Sequence, residues 1–220
     1  MFDHVTLSAS RDGSLVEHGS PQWVLAARRV RALSWLTLGW LGIEAGVAIG
    51  AAVAAGSVAL LGFGLDSGIE ALASIIVIWR FTGSRVLSSR SEQGAQRAVA
   101  VSFYLLAPYI AAEAIEVLVV GDRAATTWVG IALTAGTFLL EPPLGFAKRR
   151  LGTQLGSSAT AGEGAQNLLC AGLAGAVLVS LLANTLFGIW WLDPVAGLVI
   201  AVLAVREGRR AGRGESCACC

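Results

Sequence analysis

The stretch SVALLGFGLDSGIEALASIIVIWRF, residues 57–81, decides how the chain folds. It is long enough to cross the roughly 30 Å hydrocarbon core of a bilayer, which needs about 20 apolar residues in a helix. Two acids, Asp66 and Glu70, lie near its middle. A charge at the centre of a bilayer costs about 2.5 to 3.5 kcal/mol on insertion scales unless it is paired or faces water. These acids therefore indicate a polar interior beside an otherwise lipid-compatible helix.

The composition of the whole chain is that of a membrane protein. Of its 220 residues, 55% are hydrophobic and 14% are charged, and the mean hydropathy is +0.68. Six apolar runs of suitable length are separated by turn or charged residues. They predict transmembrane helices at residues 32–55, 57–81, 98–120, 126–146, 161–187 and 190–205. Asp193 and Pro194 are typical N-cap and first-turn residues for the last span. We therefore predict an all-α integral membrane fold with six transmembrane helices.

The basic residues predict the orientation of these helices. Fourteen arginines and lysines, including Lys148 to Arg150 after the fourth span, flank the spans on one side, whereas only Arg123 lies in a loop on the other. Because cytoplasmic loops retain positive charge, both termini are expected in the cytoplasm. Fifteen arginines against one lysine suggest a GC-rich, bacterial source. We expect a multi-pass protein of the bacterial cytoplasmic membrane, embedded in the lipid bilayer.

Three regions are predicted along the chain. Residues 1–30 are polar and lack the apolar core of a signal peptide, so they are expected to form a disordered cytoplasmic tail. The six-helix transmembrane domain covers 31–208. A short cytoplasmic tail follows at 209–220 and carries Cys217, Cys219 and Cys220.

Several classes of function are disfavoured. The net charge is +1, and the basic residues form short clusters rather than a continuous face for nucleic acid. No nucleophile with a neighbouring base and no phosphate-binding loop is present in the sequence, so neither an enzyme nor a required cofactor is expected. Three of the four cysteines lie in the last four residues, which gives no disulfide framework.

An internal repeat relates the second and fifth spans. When SVALLGFGLDSGIEA (57–71) is aligned with SSATAGEGAQNLLCA (157–171), five small residues coincide. Asp66 then corresponds to Gln166, and Glu70 to Cys170. The two spans enter the membrane from opposite sides, as inverted repeats do in transporters whose substrate sites lie near the midplane.

These four side chains form a predicted metal site. Residues four apart share a helix face, so Asp66 lies with Glu70 and Gln166 with Cys170, both pairs near mid-bilayer. Zn²⁺ accepts carboxylate oxygen and thiolate sulfur in tetrahedral geometry, and protons compete for the same atoms. Glu163 lies on the same stripe, either as an auxiliary ligand or as a carboxylate that reaches toward the interface.

Other interpretations of these residues stay open. Asp66 and Glu70 also suit a neutral hydrogen-bonded pair or a proton relay without metal. Cys170 alone suits a small buried apolar side chain, and Gln166 is the poorest of the four ligands because its amide oxygen is neutral. Glu44 is expected to face the same cavity, and Glu141, before two prolines, to mark a kink at the inner end of the fourth span. Further polar candidates are Glu113, Glu116, His4 and His18.

At these residues the sequence resembles the cation diffusion facilitator, or cation efflux, superfamily. The family pattern ALLADAxHSxxD is similar to ALLGFGLDSGIE (59–70), and ADAxHxxxD to GEGAQNLLC (162–170). The Asp-Pro that opens the family's sixth helix is similar to WWLDPVAGLVIA (190–201). The resemblance covers about residues 30–208.

The resemblance implies a function and an assembly. It places metal ligands at Asp66, Glu70, Gln166 and Cys170, although the histidine and aspartate of the family's helix 5 are replaced. It also implies the short branch that lacks a C-terminal cytoplasmic domain, and a homodimer joined through membrane helices, including the third. We therefore expect an exporter of divalent cations, zinc first, that exchanges metal for protons by alternating access. The alternatives are a non-transporting metal-binding or scaffold protein and a transporter of small organic cations.

Overall fold

Six α-helices make up most of the computed structural model, which describes residues 7–9, 15–55, 58–120, 128–187 and 191–214. They are α1 (Pro21–Ala55), α2 (Val58–Arg80), α3 (Ser89–Val120), α4 (Trp128–Leu155), α5 (Ser158–Phe187) and α6 (Leu192–Arg213). Two short antiparallel strands, β1 (Leu7–Ala9) and β2 (Leu15–Glu17), precede them. A 3₁₀ turn at Gly83–Leu87 joins α2 to α3. The six predicted helices are all found.

The predicted spans agree with the helices at one end of the bundle and fall short at the other. Helices α1, α3 and α5 end where predicted, at residues 55, 120 and 187. At the opposite end, α1 begins at Pro21 rather than at residue 32, and α3 begins at Ser89 rather than at 98. An apolar run marks only the part of a helix that suits lipid, whereas these extensions are rich in polar residues.

The segment predicted as a disordered tail is partly helical, because Ser20 and Pro21 start α1. The Ser20 hydroxyl oxygen accepts the backbone N–H of Trp23 at 3.2 Å, and proline suits the first helical position. The Trp23 indole N–H donates to the carbonyl of Leu155 at 3.3 Å, which fixes the start of α1 to the end of α4. His4 lies outside the described residues.

The last helix also differs from its prediction. It begins at Leu192, and Trp191 occupies the N-cap position, so the predicted N-cap Asp193 is already helical. At its other end α6 continues to Arg213 and stops at Gly214, whose φ of 72° is left-handed. Glycine tolerates this conformation at a helix end without strain. Residues 209–213 of the predicted tail are therefore helical, and its three cysteines lie outside the described residues.

The bundle places apolar side chains on its outside and many polar side chains within. Trp35, Ile43 and Val119 are 58%, 61% and 79% exposed. Its interior includes the buried polar residues Ser34, Thr37, Glu44, Asp66, Glu70, Ser102, Thr137, Glu141, Lys148, Glu163, Gln166 and Asn167. Within the described residues, α1, α3 and α4 each contain a stretch long and apolar enough to cross a membrane. A lipid-facing apolar surface around a polar interior is the arrangement of a membrane-spanning bundle.

The helices form a closed ring, and α5 is the member with the most helix neighbours. Each helix packs against two neighbours in the order α1, α2, α3, α6, α5, α4, and α4 closes the ring against α1. α5 also contacts α2 and α3 across the ring. Residues 158–167 of α5 are all buried, as expected for a helix surrounded by others. Side chains on every face of this half of α5 are therefore covered by other helices.

A tight turn joins α4 to α5. Gly156 has a φ of 64°, and its N–H donates to the carbonyl of Thr153 at 3.2 Å. The N–H of Ser157 donates to the carbonyl of Gly152 at 2.8 Å. These two bonds are those of a Schellman motif, which ends a helix with a left-handed glycine. The turn sends α5 back along α4.

Glycines bring the two backbones into direct contact. A Cβ added at Gly145 would lie 2.8 Å from the Gly164 carbonyl oxygen, and one added at Gly164 would lie 2.7 Å from the Gly145 carbonyl oxygen. A Cβ at Gly152 would lie 2.7 Å from the backbone nitrogen of Ala161. Small residues allow this approach, which is a common way for membrane helices to associate.

We expect Gly164→Ala to destabilise the bundle, because the new methyl group would meet backbone atoms that cannot move aside. Overpacking of this kind typically costs about 1 to 3 kcal/mol, and the midpoint of thermal unfolding of the detergent-solubilised protein measures the loss. Gly42→Ala on α1 is the control, since a Cβ there meets nothing within 4 Å. Equal stability of the two variants would contradict the close contact.

Candidate cation-binding site

Asp66 and Glu70 lie on the inner face of α2. They are 8% and 3% exposed, although α2 also carries outward-facing apolar residues such as Leu65 and Leu72. Their spacing of four residues places both carboxyl groups on the same side of the helix. The acids therefore lie in the interior that the sequence predicts for them.

Glu70 connects α2 with α5. Its Oε1 accepts a hydrogen bond from Nδ2 of Asn167 at 2.9 Å. The thiol of Cys170 lies close enough to the same carboxyl group to interact with it electrostatically. Cys170 is a buried, free cysteine. Glu70 and Cys170, which the sequence predicts to face each other, are therefore neighbours in the structure.

Gln166 is hydrogen bonded to α3. Its side-chain oxygen accepts a hydrogen bond from the Ser102 hydroxyl of α3 at 3.1 Å, so the side chain is directed toward α3. The next residue, Asn167, is fully buried and donates hydrogen bonds to Glu70 and Glu141. Successive residues of a helix point about 100° apart, so a shift of one position selects a different neighbour.

Two further acids come from α1 and α4. Glu141 is fully buried and accepts a hydrogen bond from Nδ2 of Asn167. Glu44 accepts a hydrogen bond on its Oε1 from the Thr137 hydroxyl at 2.7 Å. Both acids, like Asp66, lie within electrostatic range of Glu70. We refer to Glu44, Asp66, Glu70 and Glu141 as the carboxyl cluster.

The sequence predicts that Glu141 marks a kink at the inner end of the fourth span, but α4 does not end there. The helix continues through Pro142 and Pro143 to Leu155. A proline removes one backbone donor but does not have to end a helix whose other bonds and packing persist. The acid therefore lies within a continuous helix.

Three oxygens of the carboxyl cluster have no hydrogen-bond partner among the described residues. They are Oε2 of Glu44, Oδ1 of Asp66 and Oε1 of Glu141. A buried polar atom without a partner costs about 1 to 3 kcal/mol, and more if it is charged. The cluster therefore has unused capacity to bind cations or protons.

Glu163 is paired with a buried lysine. Nζ of Lys148 lies 2.7 Å from Oε1 of Glu163, and the two side chains are 0% and 2% exposed. The ammonium also donates to Oγ1 of Thr37 at 2.7 Å and to Oδ1 of Asn167 at 2.9 Å. The Ser34 hydroxyl donates to the second oxygen of Glu163 at 2.8 Å. Three acceptors match the three N–H groups of the ammonium.

This ion pair corrects two expectations. Lys148 was expected in a cytoplasmic loop, but α4 continues past it, and the side chain points into the bundle. Glu163 does not reach toward the interface, because Lys148 and Ser34 bind both of its oxygens. The helical periodicity of the sequence does not indicate that residues 148 and 163 are in contact. The pairing depends on the turn at Gly156, which sends α5 back along α4.

Asn167 joins the ion pair to the carboxyl cluster. Lys148 can only donate hydrogen bonds, so the amide atom that faces it must be the carbonyl oxygen. The atom that faces Glu70 and Glu141 is then the amide nitrogen. In this conformation Asn167 offers N–H groups, not its oxygen, to the acids.

The remaining candidates lie at the edges of this region or away from it. Glu113 of α3 is half-buried and lies within electrostatic range of Asp66, whereas Glu116 is exposed. His18 lies before α1, with its ring centroid 4.5 Å from that of Trp23. In the part of the chain that the structure describes, no three His, Cys, Asp or Glu side chains are arranged to hold a metal ion.

Comparison with known proteins identifies the class of molecule. A family model described as the cation efflux transmembrane domain matches residues 35–214, which include the greater part of α1 and all of the other five helices. The chain therefore belongs to the cation efflux family, as its sequence resemblance suggests. It is an integral membrane protein and a cation transporter, and the family consists of transporters rather than enzymes. A search of curated proteins finds no match to the chain.

We expect Lys148→Met to destabilise the protein by about 3 to 5 kcal/mol, because Glu163 would stay buried without its cation. The double variant Lys148→Met/Glu163→Gln should lose less than the sum of the two single variants, since it removes both charges together. Thermal unfolding of the four proteins in detergent gives the coupling free energy.

The ion pair between Arg210 and Glu207 provides the control for this cycle. It has a similar N–O distance, 3.0 Å, but the Arg210 side chain is 42% exposed. Arg210→Met should therefore cost no more than about 1 kcal/mol. A Lys148→Met protein as stable as Arg210→Met would contradict a buried pair that the fold requires.

Proposed function

We propose that the chain exports divalent cations, zinc first, from the cytoplasm in exchange for protons, with the carboxyl cluster and Cys170 as the binding site. The transported ion is the substrate, and no resident cofactor is involved. The observation that carries the proposal is the buried cluster of four acids with three unpartnered oxygens beside a thiol. An interior of this kind requires positive charge from outside the chain, and a cation or protons can supply it.

The predicted ligands enter this proposal to different degrees. Asp66, Glu70 and Cys170 are the main ligands, because they share the interior between α2 and α5. Both oxygens of Glu163 already bind partners of the protein, and Glu163 acts by holding Lys148. Gln166 is bonded to Ser102 and would need a new side-chain orientation to reach the ion.

Proton exchange is supported by the chemistry of the same atoms. Each carboxyl oxygen binds either a proton or a cation, so the two ligands compete for one site. The amide of Asn167 now donates to Glu70 and Glu141, in the direction from which a cation would approach these acids. A metal bound there would favour the opposite orientation of the amide, with the oxygen toward the ion, because an amide nitrogen is not a ligand.

Alternating access is supported by the number of helices that supply the site. The acids come from α1, α2 and α4, and Cys170 comes from α5. Relative movement of these helices would change the distances between the ligands, and so the affinity for the ion.

The donor set favours zinc, and manganese is a second candidate. Zinc accepts a thiolate together with carboxylate oxygens in a four-coordinate shell. Manganese prefers oxygen ligands, and the additional acids Glu44 and Glu141 provide further carboxylate oxygens. The thiol of Cys170 is the atom that separates the two ions.

Orientation and assembly are also proposed from the sequence. The basic residues support cytoplasmic termini, since most of them lie at one end of the bundle. The family resemblance supports a homodimer joined through membrane helices.

Reaction of a cysteine introduced at Trp128 with an impermeant thiol reagent, in a Cys-free background, would report the side on which the start of α4 lies.

We expect purified wild-type protein in proteoliposomes to take up Zn²⁺ when a pH gradient is imposed, and Asp66→Ala to lose this uptake. Losing one of the main ligands from a small shell should weaken the site by at least about tenfold, because the remaining acids are then too few to offset dehydration of the ion. A zinc-sensitive dye inside the vesicles measures uptake, and calorimetry in detergent measures binding.

Glu116→Gln is the matched control for this experiment, since Glu116 is an exposed acid of the same bundle. It should transport at the wild-type rate. Binding of zinc without uptake in the wild type would favour a metal-binding scaffold, and the absence of any metal binding would favour an organic cation as substrate. Either result would overturn the proposed export.

We expect Cys170→Ser to weaken zinc binding by about tenfold or more while Mn²⁺ binding changes little. The substitution replaces a sulfur ligand that zinc favours with a hydroxyl that suits harder ions. Competition between the two ions for uptake by the same vesicles measures the change in preference. Equal losses for both ions would argue against a role of the thiol in selectivity.

A further inference from the structure

A groove between α1 and α2 lies on the outer surface of the bundle, away from the carboxyl cluster. It has a volume of about 610 Å³ and is open to the surroundings. Among the described residues, its lining includes three arginines, Arg28, Arg31 and Arg85, and no acidic side chain. The groove therefore presents a net positive charge, and its other lining residues are apolar except for Thr82.

No described residue neutralises the guanidinium groups of Arg28 and Arg31. Arg28 is exposed, and neither Arg28 nor Arg31 forms an ion pair with a described residue. Arg31 donates only a long hydrogen bond, 3.4 Å, to the carbonyl of Phe81. Guanidinium groups bind phosphate through two parallel N–H donors, which is a geometry that suits a phosphate headgroup.

Arg85 is held in place by a tryptophan. Its Nε donates to the carbonyl of Trp79 at 2.9 Å, and its guanidinium lies 4.9 Å from the centre of the Trp79 ring. These contacts fix the position of the charge and leave the outer N–H groups of Arg85 able to bind a further acceptor. The arginine is thus preorganised at the edge of the groove.

The apolar part of the groove lies on the lipid side of these charges. Trp35, Ile75 and Trp79 are 58%, 48% and 45% exposed. Trp35 lies one turn beyond Arg31 on α1, and Ile75 one turn before Trp79 on α2, so the lining changes from basic to apolar toward the membrane centre. Tryptophan is enriched at the level of lipid headgroups, which places the arginines at that level.

We propose that this groove binds an anionic phospholipid, with its phosphate on Arg28, Arg31 and Arg85 and its acyl chain along Ile75 and Trp35. A zwitterionic lipid carries its own cation and does not offset three arginines, whereas an anionic headgroup does. Basic grooves between helices at the cytoplasmic side of a membrane are suited to such headgroups. The inference does not depend on the transported ion, so it stands or falls separately from the proposed function.

Native mass spectrometry of the full chain in non-ionic detergent tests this site. The probes are phosphatidylglycerol and phosphatidylcholine with identical acyl chains. The wild type should retain phosphatidylglycerol at least about tenfold more tightly, since each arginine near an anionic lipid contributes about fivefold in affinity. Arg28→Gln/Arg31→Gln should lose about 25-fold for phosphatidylglycerol and little for phosphatidylcholine.

The variant Arg206→Gln/Arg209→Gln is the matched control. It makes the same change of net charge at two exposed arginines of α6, and it should bind phosphatidylglycerol as the wild type does. Should the groove double variant fail to fold, Arg28→Gln alone, at an exposed position, should still lose about fivefold.

Three results would overturn the proposal. Equal retention of the two lipids by the wild type would remove the preference for anionic headgroups. Equal losses in the groove and α6 variants would mean a diffuse attraction without a site. Displacement of the lipid by millimolar inorganic phosphate would assign the arginines to a free anion rather than to a lipid.

Discussion

The ammonium group of Lys148 is bonded to oxygens of α1 and α5, while its own backbone belongs to α4. A lone charge in a medium of low dielectric constant would be very costly, so these three helices must stay together as long as the lysine is charged. The same requirement fixes Glu163, Thr37 and Asn167 in position. The rest of the interior is arranged around this ion pair, because Asn167 extends its hydrogen bonds to Glu70 and Glu141.

The ion pair also defines the charge of the remaining interior. Glu163 is neutralised by Lys148, whereas the four acids of the carboxyl cluster have no lysine or arginine bonded to them among the described residues. Their charge has to be offset by protons or by a cation that comes from outside the chain. Ionisable residues inside a membrane generally mark ion or proton pathways, and this connects the buried acids to cation transport.

Much of the fold could be predicted from the sequence, because lipid imposes a simple requirement on helix length. The apolar runs predicted six spans, and α1, α3 and α5 end at the predicted residues. The polar extensions of α1 and α3 were missed, because the length of an apolar run indicates only the part of a helix that lies within the bilayer. Ser20 and Pro21 were the signal that could have located the start of α1.

The candidate site was predictable only in part. The i, i+4 spacing placed Asp66 and Glu70 inward, and the repeat brought Cys170 close to Glu70. The same repeat did not indicate Asn167, which donates to Glu70 and Glu141, because an approximate alignment cannot resolve a rotation of one residue about a helix. Lys148 was missed because charge patterns along the sequence do not report which helix neighbours which. Its partner is determined by the packing of α5 against α4.

That packing has a mechanical consequence for transport. Where Gly145 and Gly164 meet, the two backbones are in direct contact, and neither residue has a side chain that could separate them. Sliding or rotation of one helix against the other would bring a residue with a Cβ into the contact. α4 and α5 are therefore constrained to move as one rigid unit. Because Lys148 also binds Thr37 of α1, changes of shape are left to the contacts of these helices with α2, α3 and α6. The lysine, its glutamate and the neighbouring asparagine would then move together.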